Sequence, residues 1–397
     1  MFRVAIKMLL EDKTKYIGLL IGIAFTAFLV SFAMAYFAGF MTRGFALVSE
    51  NPTADIWVMD SAVSSCEATI NMSDSALYRV KSVHGVVAAM PLYIEDMTAR
   101  FANGSFQSFQ VTGVDDATLS GAPHPTNKLK LSEALHIPSS IIVDSGGTDG
   151  KLQTPKEQKD IWPYNGTHLH ISTRKLQFGD TLLIDGKRVF VSGISQTIPR
   201  FPPRPLIYTT VSNFKRLTPA QNRRLTFVMV KVKDKISVKK VANNIEKQTG
   251  LKALTSDAFK KQTVLWYLIN SEDVGDMVNM VVLAMLVGFG VTGVMLYMFT
   301  QDHFKQYAIL KALGTTSSQL RTMVFTQIFV TAFIGSGIGV GCCTLFGFFI
   351  SNIDFPYRLM WFAPLLGILG VLIVSSVAGF ISTRALNKLQ PAIVFAT

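Results

Sequence analysis

A chain of 397 residues that is 49% hydrophobic and only 16% charged, with a mean hydropathy of +0.35, is too apolar for an ordinary soluble protein. Its formal net charge of +12 is divided between short basic flanks of apolar runs, which suit anionic membrane lipids, and the solvated face of a large polar segment, where no nucleic-acid partner is expected. Three cysteines, two of them the neighbours Cys342 and Cys343, exclude a disulfide framework.

Residues 1–16 read as a cytosolic amphipathic lead-in helix, with Phe2, Ile6, Leu9 and Leu10 on one face and Arg3, Lys7, Glu11 and Lys13 on the other. Residues 17–41 contain no ionisable group. About 25 residues at 1.5 Å each cross a ~30 Å hydrocarbon core with some tilt, so this is the first transmembrane helix. Its apolar core exceeds the roughly 7–15 residues of a cleaved signal peptide, which makes it a signal anchor. Gly18 and Gly22 form a G-x-x-x-G pair that lets a neighbouring helix approach closely.

Residues 42–276 change to short alternating runs between turn residues, an α+β domain. Strands are predicted at Ala54–Asp60, Gly85–Tyr93, Met97–Phe101, Phe106–Val114, Ser139–Asp144, Leu225–Val232 and Leu251–Leu254, and helices at Ser73–Val83 and Ser237–Thr249. Asp185-Gly186 between Thr181–Ile184 and Arg188–Ser195 signals a type I′ hairpin. Ser145–Gly166 reads as a surface loop and Pro199–Pro205 as an extended connector. The helix predicted over Ser256–Asp276 is expected to run nearly continuously into the next span.

Residues 277–300, 322–353 and 360–383 are three further spans without ionisable residues. The fold class is therefore an α-helical membrane protein with four transmembrane helices plus a large α+β extracytoplasmic domain between the first and second. Lys and Arg concentrate before the first span, between the second and third, and after the fourth, which places both termini, the 301–321 loop and the 384–397 tail in the cytosol. That loop reads as a short interfacial helix, a turn at Gly314 and N-cap groups at Thr315 to Ser318. Gly335, Gly337, Gly339 and Gly341 in the third span make two overlapping G-x-x-x-G pairs, suited to packing against a helix of this chain or of a second copy.

No span holds a charged relay or a coupling-ion site, and no phosphate-binding loop is present, so any energy must come from another subunit. His168-x-His170 lacks the further ligands of a metal site, and neither a G-x-S-x-G nor a Cys and His arrangement marks a catalytic residue. Asn71, Asn103 and Asn165 match a glycosylation pattern and carry no assigned role.

One span, a large domain, three spans and the stretch Tyr307-Ala308-Ile309-Leu310-Lys311-Ala312-Leu313-Gly314-Thr315 together resemble the MacB-like and FtsX-like permease family of ABC transporters. The tail Ser382–Phe395 resembles the family's C-terminal pattern. Ala54–Asp60, Met90–Ile94 and Pro391–Phe395 look closest to its DevC-like and haem-exporter-like branch. The resemblance implies a homodimeric, non-enzymatic permease of a bacterial inner membrane with its large domain periplasmic. A cytosolic ATPase dimer would bind ATP and Mg, leaving this chain without a cofactor.

It also implies that Phe304, Tyr307, Ala308, Ile309, Leu310, Lys311, Ala312, Leu313 and Gly314 form a coupling helix seated on the ATPase, whose closure moves the spans and the outer domain. Gram-negative members work with a periplasmic adaptor and a TolC-like outer-membrane channel. The expected function is export of an amphiphilic or hydrophobic substrate; the alternative is an FtsX-like signal transmitter controlling a periplasmic hydrolase or sensor without transport. Two departures stand out: Gln327 where many relatives have an acidic residue, and His303 and Gln306 in a segment less basic than theirs.

Overall fold

The computed structural model describes all residues except 1, 12, 102–105, 127–128, 146–152, 157–171, 202–203, 220–223, 234–236, 351–354 and 388–397. The motif Pro391–Phe395, His168 and His170, Asn103 and Asn165, and most of the 145–166 segment lie outside the described residues. The chain begins with α1 (Phe2–Glu11), α2 (Lys13–Gly44), α3 (Ala46–Ser49), β1 (Ile56–Met59), α4 (Ser75–Lys81), β2 (Val86–Arg100) and β3 (Phe106–Val114). It continues with α5 (Leu131–Leu135), β4 (Ser140–Asp144), β5 (Gln153–Pro155), β6 (Thr173–Lys175), β7 (Thr181–Ile184), β8 (Lys187–Ser195), β9 (Leu206–Thr210) and α6 (Val211–Leu217). Then come β10 (Phe227–Val232), α7 (Val238–Thr249), β11 (Lys252–Thr255), α8 (Ser256–Asn270), α9 (Glu272–Asp302), α10 (Phe304–Ala312), α11 (Ser317–Ile350) and α12 (Phe362–Asn387). The chain divides into a helical unit, Met1–Phe40 with Ser271–Thr397, and an α+β unit, Met41–Asn270.

In the helical unit, α2, α9, α11 and α12 are each long and apolar enough to cross a membrane. They are apolar all round, so no single face is dictated by sequence, and the packed face is set by where small residues fall. Their shared core joins Ala5 and Met8 of α1, Leu19, Ile23 and Ala27 of α2, and Leu296 of α9. Tyr307 and Ala308 of α10, Met323 and Ile328 of α11, and Val371 of α12 complete it. The opposite sides expose Leu283 and Leu286 on α9 and Phe333, Phe348 and Phe349 on α11, a surface that suits hydrocarbon rather than water.

The α+β unit holds a nine-stranded sheet in the order β11-β1-β10-β2-β3-β9-β4-β8-β7 among the described residues. β3 with β9 and β4 with β8 are the parallel pairs. β2 also pairs with β7, Ala99 opposite Ile184 and Arg100 opposite Leu183, which closes β2-β3-β9-β4-β8-β7 into a ring. A strand of 15 residues spans about 50 Å, long enough to serve the open sheet at one end and the ring at the other. One apolar core holds Phe109, Val111, Ile141, Val191 and Ile207. A second, on the other side, is built on Trp57, Phe227 and Phe259, whose rings lie 5.7–5.9 Å apart.

The hairpin at 181–195 forms as its turn residues require, with Asp185 and Gly186 both at positive φ, 48° and 72°. Other expectations need correction. Gly85–Tyr93 and Met97–Phe101 are one strand, because every residue from Leu92 to Arg100 keeps a partner in β3 across the polar Glu95-Asp96 step. The 145–166 segment is not all loop: Gln153–Pro155 pairs with Thr173–Lys175.

β9 and α6, which the alternation pattern does not reveal, occupy Leu206–Leu217. Every residue of β9 is buried, so it carries no polar/apolar alternation. The helix from Ser256 does not run into the second span. It stops at Asn270, Ser271 is extended (φ −95°, ψ 124°), and α9 starts afresh. Asn270 donates to the Trp266 carbonyl at 2.9 Å, and Glu272 and Asp273 supply the negative charge that a helix N-terminus favours. Asn and Ser both trade helix-interior positions for caps.

Candidate functional site

The segment between α9 and α11 is a short helix closed at its C-terminal end, followed by a capped start of the next span. Gly314, at φ +97°, turns the chain out of α10. Its amide donates to the Lys311 carbonyl at 3.1 Å and the Thr315 amide to that of Leu310 at 3.1 Å, a Schellman closure. α11 then opens with a capping box: the Gln319 amide donates to Thr316 Oγ1 at 3.3 Å and the Thr316 amide to Gln319 Oε1 at 3.0 Å.

α10 has two sides. Tyr307 and Ala308 are buried in the helical core, and Phe304 and Leu310 pack against it. Tyr307 donates from its hydroxyl to Gln327 Oε1 at 3.1 Å, and Gln327 Nε2 donates to the Ala5 carbonyl at 2.9 Å. One buried amide thus ties α10, α11 and the lead-in helix α1 together. Burial raises the Tyr307 pKa above the usual phenol value, so the hydroxyl stays a donor. At the rim, Gln306 Nε2 donates to Glu11 Oε2 at 3.2 Å, and Lys15 pairs with Asp302 at 2.7 Å. That pair is 43% exposed on both sides, where such contacts add little. Facing away are Ile309 (47% exposed), Ala312 and Leu313 (79% exposed).

The glycines predicted to pack do so unequally. A Cβ on Gly339 would overlap the Ala24 carbonyl oxygen and meet Ala27 Cβ at 2.7 Å; one on Gly335 would meet Ile23 at 2.6 Å and one on Gly22 Val291 at 2.8 Å. Gly18 has ordinary room beside Met295 at 3.9 Å, and Gly337 and Gly341 face open space. Sequence spacing missed Gly288 against Thr26 and Gly367 against Ser31, which lie outside any G-x-x-x-G pair with a second small partner on the same seam. α2 is therefore gripped by α9, α11 and α12 through glycine contacts on all three.

Residues 279–391 match the family model of the FtsX-like permease C-terminal domain. A comparison with curated proteins finds no match. Among solved structures, one similar to this chain is the extracellular domain of the noncanonic ABC-type transporter YknZ from Gram-positive bacteria. It is 12% identical with a TM-score of 0.32, covering 51% of this chain and 99% of that one. Another is the periplasmic region of MacB from Actinobacillus actinomycetemcomitans, 12% identical with a TM-score of 0.37, covering 54% and 94%.

The matched residues take in most of α9 and all of α10, α11 and α12, so the two-sided helix and the seam glycines of three of the four spans, Gly288, Gly335, Gly339 and Gly367, fall inside the match, while α2 lies outside it. Among the described residues no group of three or more His, Cys, Asp or Glu side chains could hold a metal. Burial pushes the Cys66 thiol up to about 12, against the bond from Thr263, which leaves it protonated and unreactive at neutral pH.

A polar network lies in the α+β unit. Glu50 pairs with Arg200 at 2.7 Å and accepts from the Ile198 amide. Asp144 Oδ1 accepts from Ser195 Oγ at 3.1 Å and from the Thr197 amide at 2.8 Å. Burial outweighs those bonds and holds the Asp144 carboxyl up at about 6, against an ordinary 3.8. The folded state therefore binds this proton more tightly than the unfolded one, and the stability it contributes at low pH is lost as pH rises from the ordinary value through about 6. Asp144→Asn removes that titration. Thermal unfolding of the wild type is expected to lose about 2–3 kcal/mol relative to the variant across this window, and parallel pH profiles for the two would contradict it.

Proposed function

We propose that this chain is the permease subunit of an ABC exporter in a bacterial inner membrane, working as a homodimer with its α+β domain in the periplasm. A separate cytosolic ATPase dimer binds ATP and Mg and seats on α10 at Ile309, Ala312 and Leu313. Closure of that dimer pushes α10, and the push is delivered to the spans because α10 cannot move without Gln327, α11 and α1. The outer domain then rearranges and passes an amphiphilic or hydrophobic substrate outward, with a periplasmic adaptor and a TolC-like channel as partners.

The observation that carries this reading is the division of α10 within the FtsX-like domain: one side is bonded into the helical core through Tyr307 and Gln327, and the other presents Leu313 at 79% exposure. A docking helix needs an apolar contact surface, and a transmitting one needs a rigid attachment; α10 combines the two. The reading is tested by a distance between spin labels in the outer domain and in a span, which should change with ATP only when the ATPase is bound.

A further inference from the structure

The exposed face of α8 changes character along its length. Phe259, Thr263 and Tyr267 are buried and hold the helix to the α+β unit. On the opposite side one stripe at helical spacing carries Asp257 and Lys261, both exposed, and then Leu265, Leu268 and Ile269, exposed by 58%, 45% and 80%. Three large apolar side chains bared together on one face mark a surface that meets something other than water.

The chain itself says how far that surface lies from lipid. The apolar run of α2 ends at Met41, and Arg43 is the first ionisable residue beyond it. Gly44 is about 4.5 Å of helix past Met41, and it lies so close to Tyr267 that an added Cβ would meet the ring at 2.7 Å. Tyr267 shares its helical turn with Leu268 and Ile269. At its C-terminal end α8 is joined through Ser271 alone to α9, which is long and apolar enough to cross a membrane. The polar half of the stripe is thus the half farther along the helix from Tyr267 and from the start of α9. Trp266, a residue type enriched where membrane meets water, stands where the stripe turns apolar. A protein cover gives no reason for polarity to change with distance from the spans, whereas a lipid surface requires it.

We propose that Leu265, Leu268 and Ile269 insert into the lipid leaflet on the side of the α+β unit, with Lys261 reaching the headgroup phosphates, so that this edge of the unit is seated on the membrane. An apolar helix face with a cation one turn away is what an interfacial anchor needs. The inference rests on α2 and α9 being spans. It uses neither the docking of an ATPase on α10 nor export.

The test places a nitroxide at Ile269 in the full chain, carried on p-acetylphenylalanine so that the native cysteines stay in place, in liposomes of phosphatidylethanolamine and phosphatidylglycerol. EPR power saturation then reads its collisions with oxygen, which concentrates in lipid, and with a water-soluble nickel chelate. High oxygen and low nickel contact are expected, at a depth of about 5–10 Å into the headgroup and acyl boundary, with the same result for a label at Leu268. Labels at Tyr78, 70% exposed in the α+β unit, and at Val282, 50% exposed in α9, give the water and lipid references. Val282 reports the span by itself, so a failure at Ile269 is distinct from a failure of the spans. Nickel contact at Ile269 equal to that at Tyr78 would overturn the proposal. Shielding of Ile269 from both reagents, the signature of a protein cover such as a second copy, would overturn it as well.

Discussion

Leu313→Asp is expected to abolish stable association with the cytosolic ATPase while leaving the helical unit folded. Leu313 is 79% exposed just after the last turn of α10, and Ile309, one turn earlier, is 47% exposed. An apolar anchor at the centre of a docking surface is worth roughly 2 kcal/mol or more, about 30-fold in affinity, and a carboxylate in its place adds a desolvated charge. Co-purification of the ATPase and transporter-stimulated ATP turnover should both fall by at least that factor, with an unchanged melting curve for the permease alone.

Leu310 provides the contrast. It packs against the core shared with Tyr307, Ala308 and Ile328, so Leu310→Asp buries a charge and should destabilise the helical unit itself. Equal ATPase association by Leu313→Asp and wild type would remove α10 as the docking element.

The second large effect is expected at Gly339. Its backbone lies against α2 so closely that any Cβ overlaps the Ala24 carbonyl oxygen and crowds the Phe28 amide at 3.0 Å. Backbone cannot rotate away as a side chain can, so Gly339→Leu must push α2 and α11 apart. Overpacking of a close seam costs about 1–3 kcal/mol in well-tolerated cases, and loss of the neighbouring Gly335 contact with Ile23 should carry this one to the upper end. Gly337→Leu and Gly341→Leu, on faces with nothing within 4 Å of the added Cβ among the described residues, should leave the monomer's thermal stability unchanged. Any effect of those two substitutions would read contacts outside the chain, such as a second copy. Comparable destabilisation by Gly337→Leu and Gly339→Leu would contradict the seam assignment.

Much of the architecture is legible in residue type alone, where one physical requirement dominates. The absence of ionisable groups marks the four spans, Asp185-Gly186 marks a turn that demands positive φ, and Gly314 marks the end of α10. Elements decided by distant partners are not legible. Gln327 reads as a departure from the resembling family, yet it bonds to Tyr307 and Ala5, which are 20 and 322 positions away.

β9 has no alternation because both its faces are covered, and the Glu95-Asp96 step looks like a strand end until its partners in β3 are known. The four glycines of α11 have one spacing but two fates, since spacing puts residues on a common face without saying which face meets α2. The helix break at Ser271 was written in the Asn-Ser-Glu-Asp run, a cap signal outweighed by the helical composition around it.

The claim on which the rest depends is that ATP-driven closure of a partner subunit moves the α+β domain. It is tested most directly by a pulsed-EPR distance between labels at Tyr78 in that domain and Phe333 in α11, positions exposed by 70% and 77%. With a hydrolysis-deficient ATPase bound, ATP should shift the distance distribution, and neither ATP without the ATPase nor ATP with the Leu313→Asp variant should do so. A distribution that ATP leaves unchanged in the wild-type complex, or one that ATP shifts in the chain alone, would contradict the account.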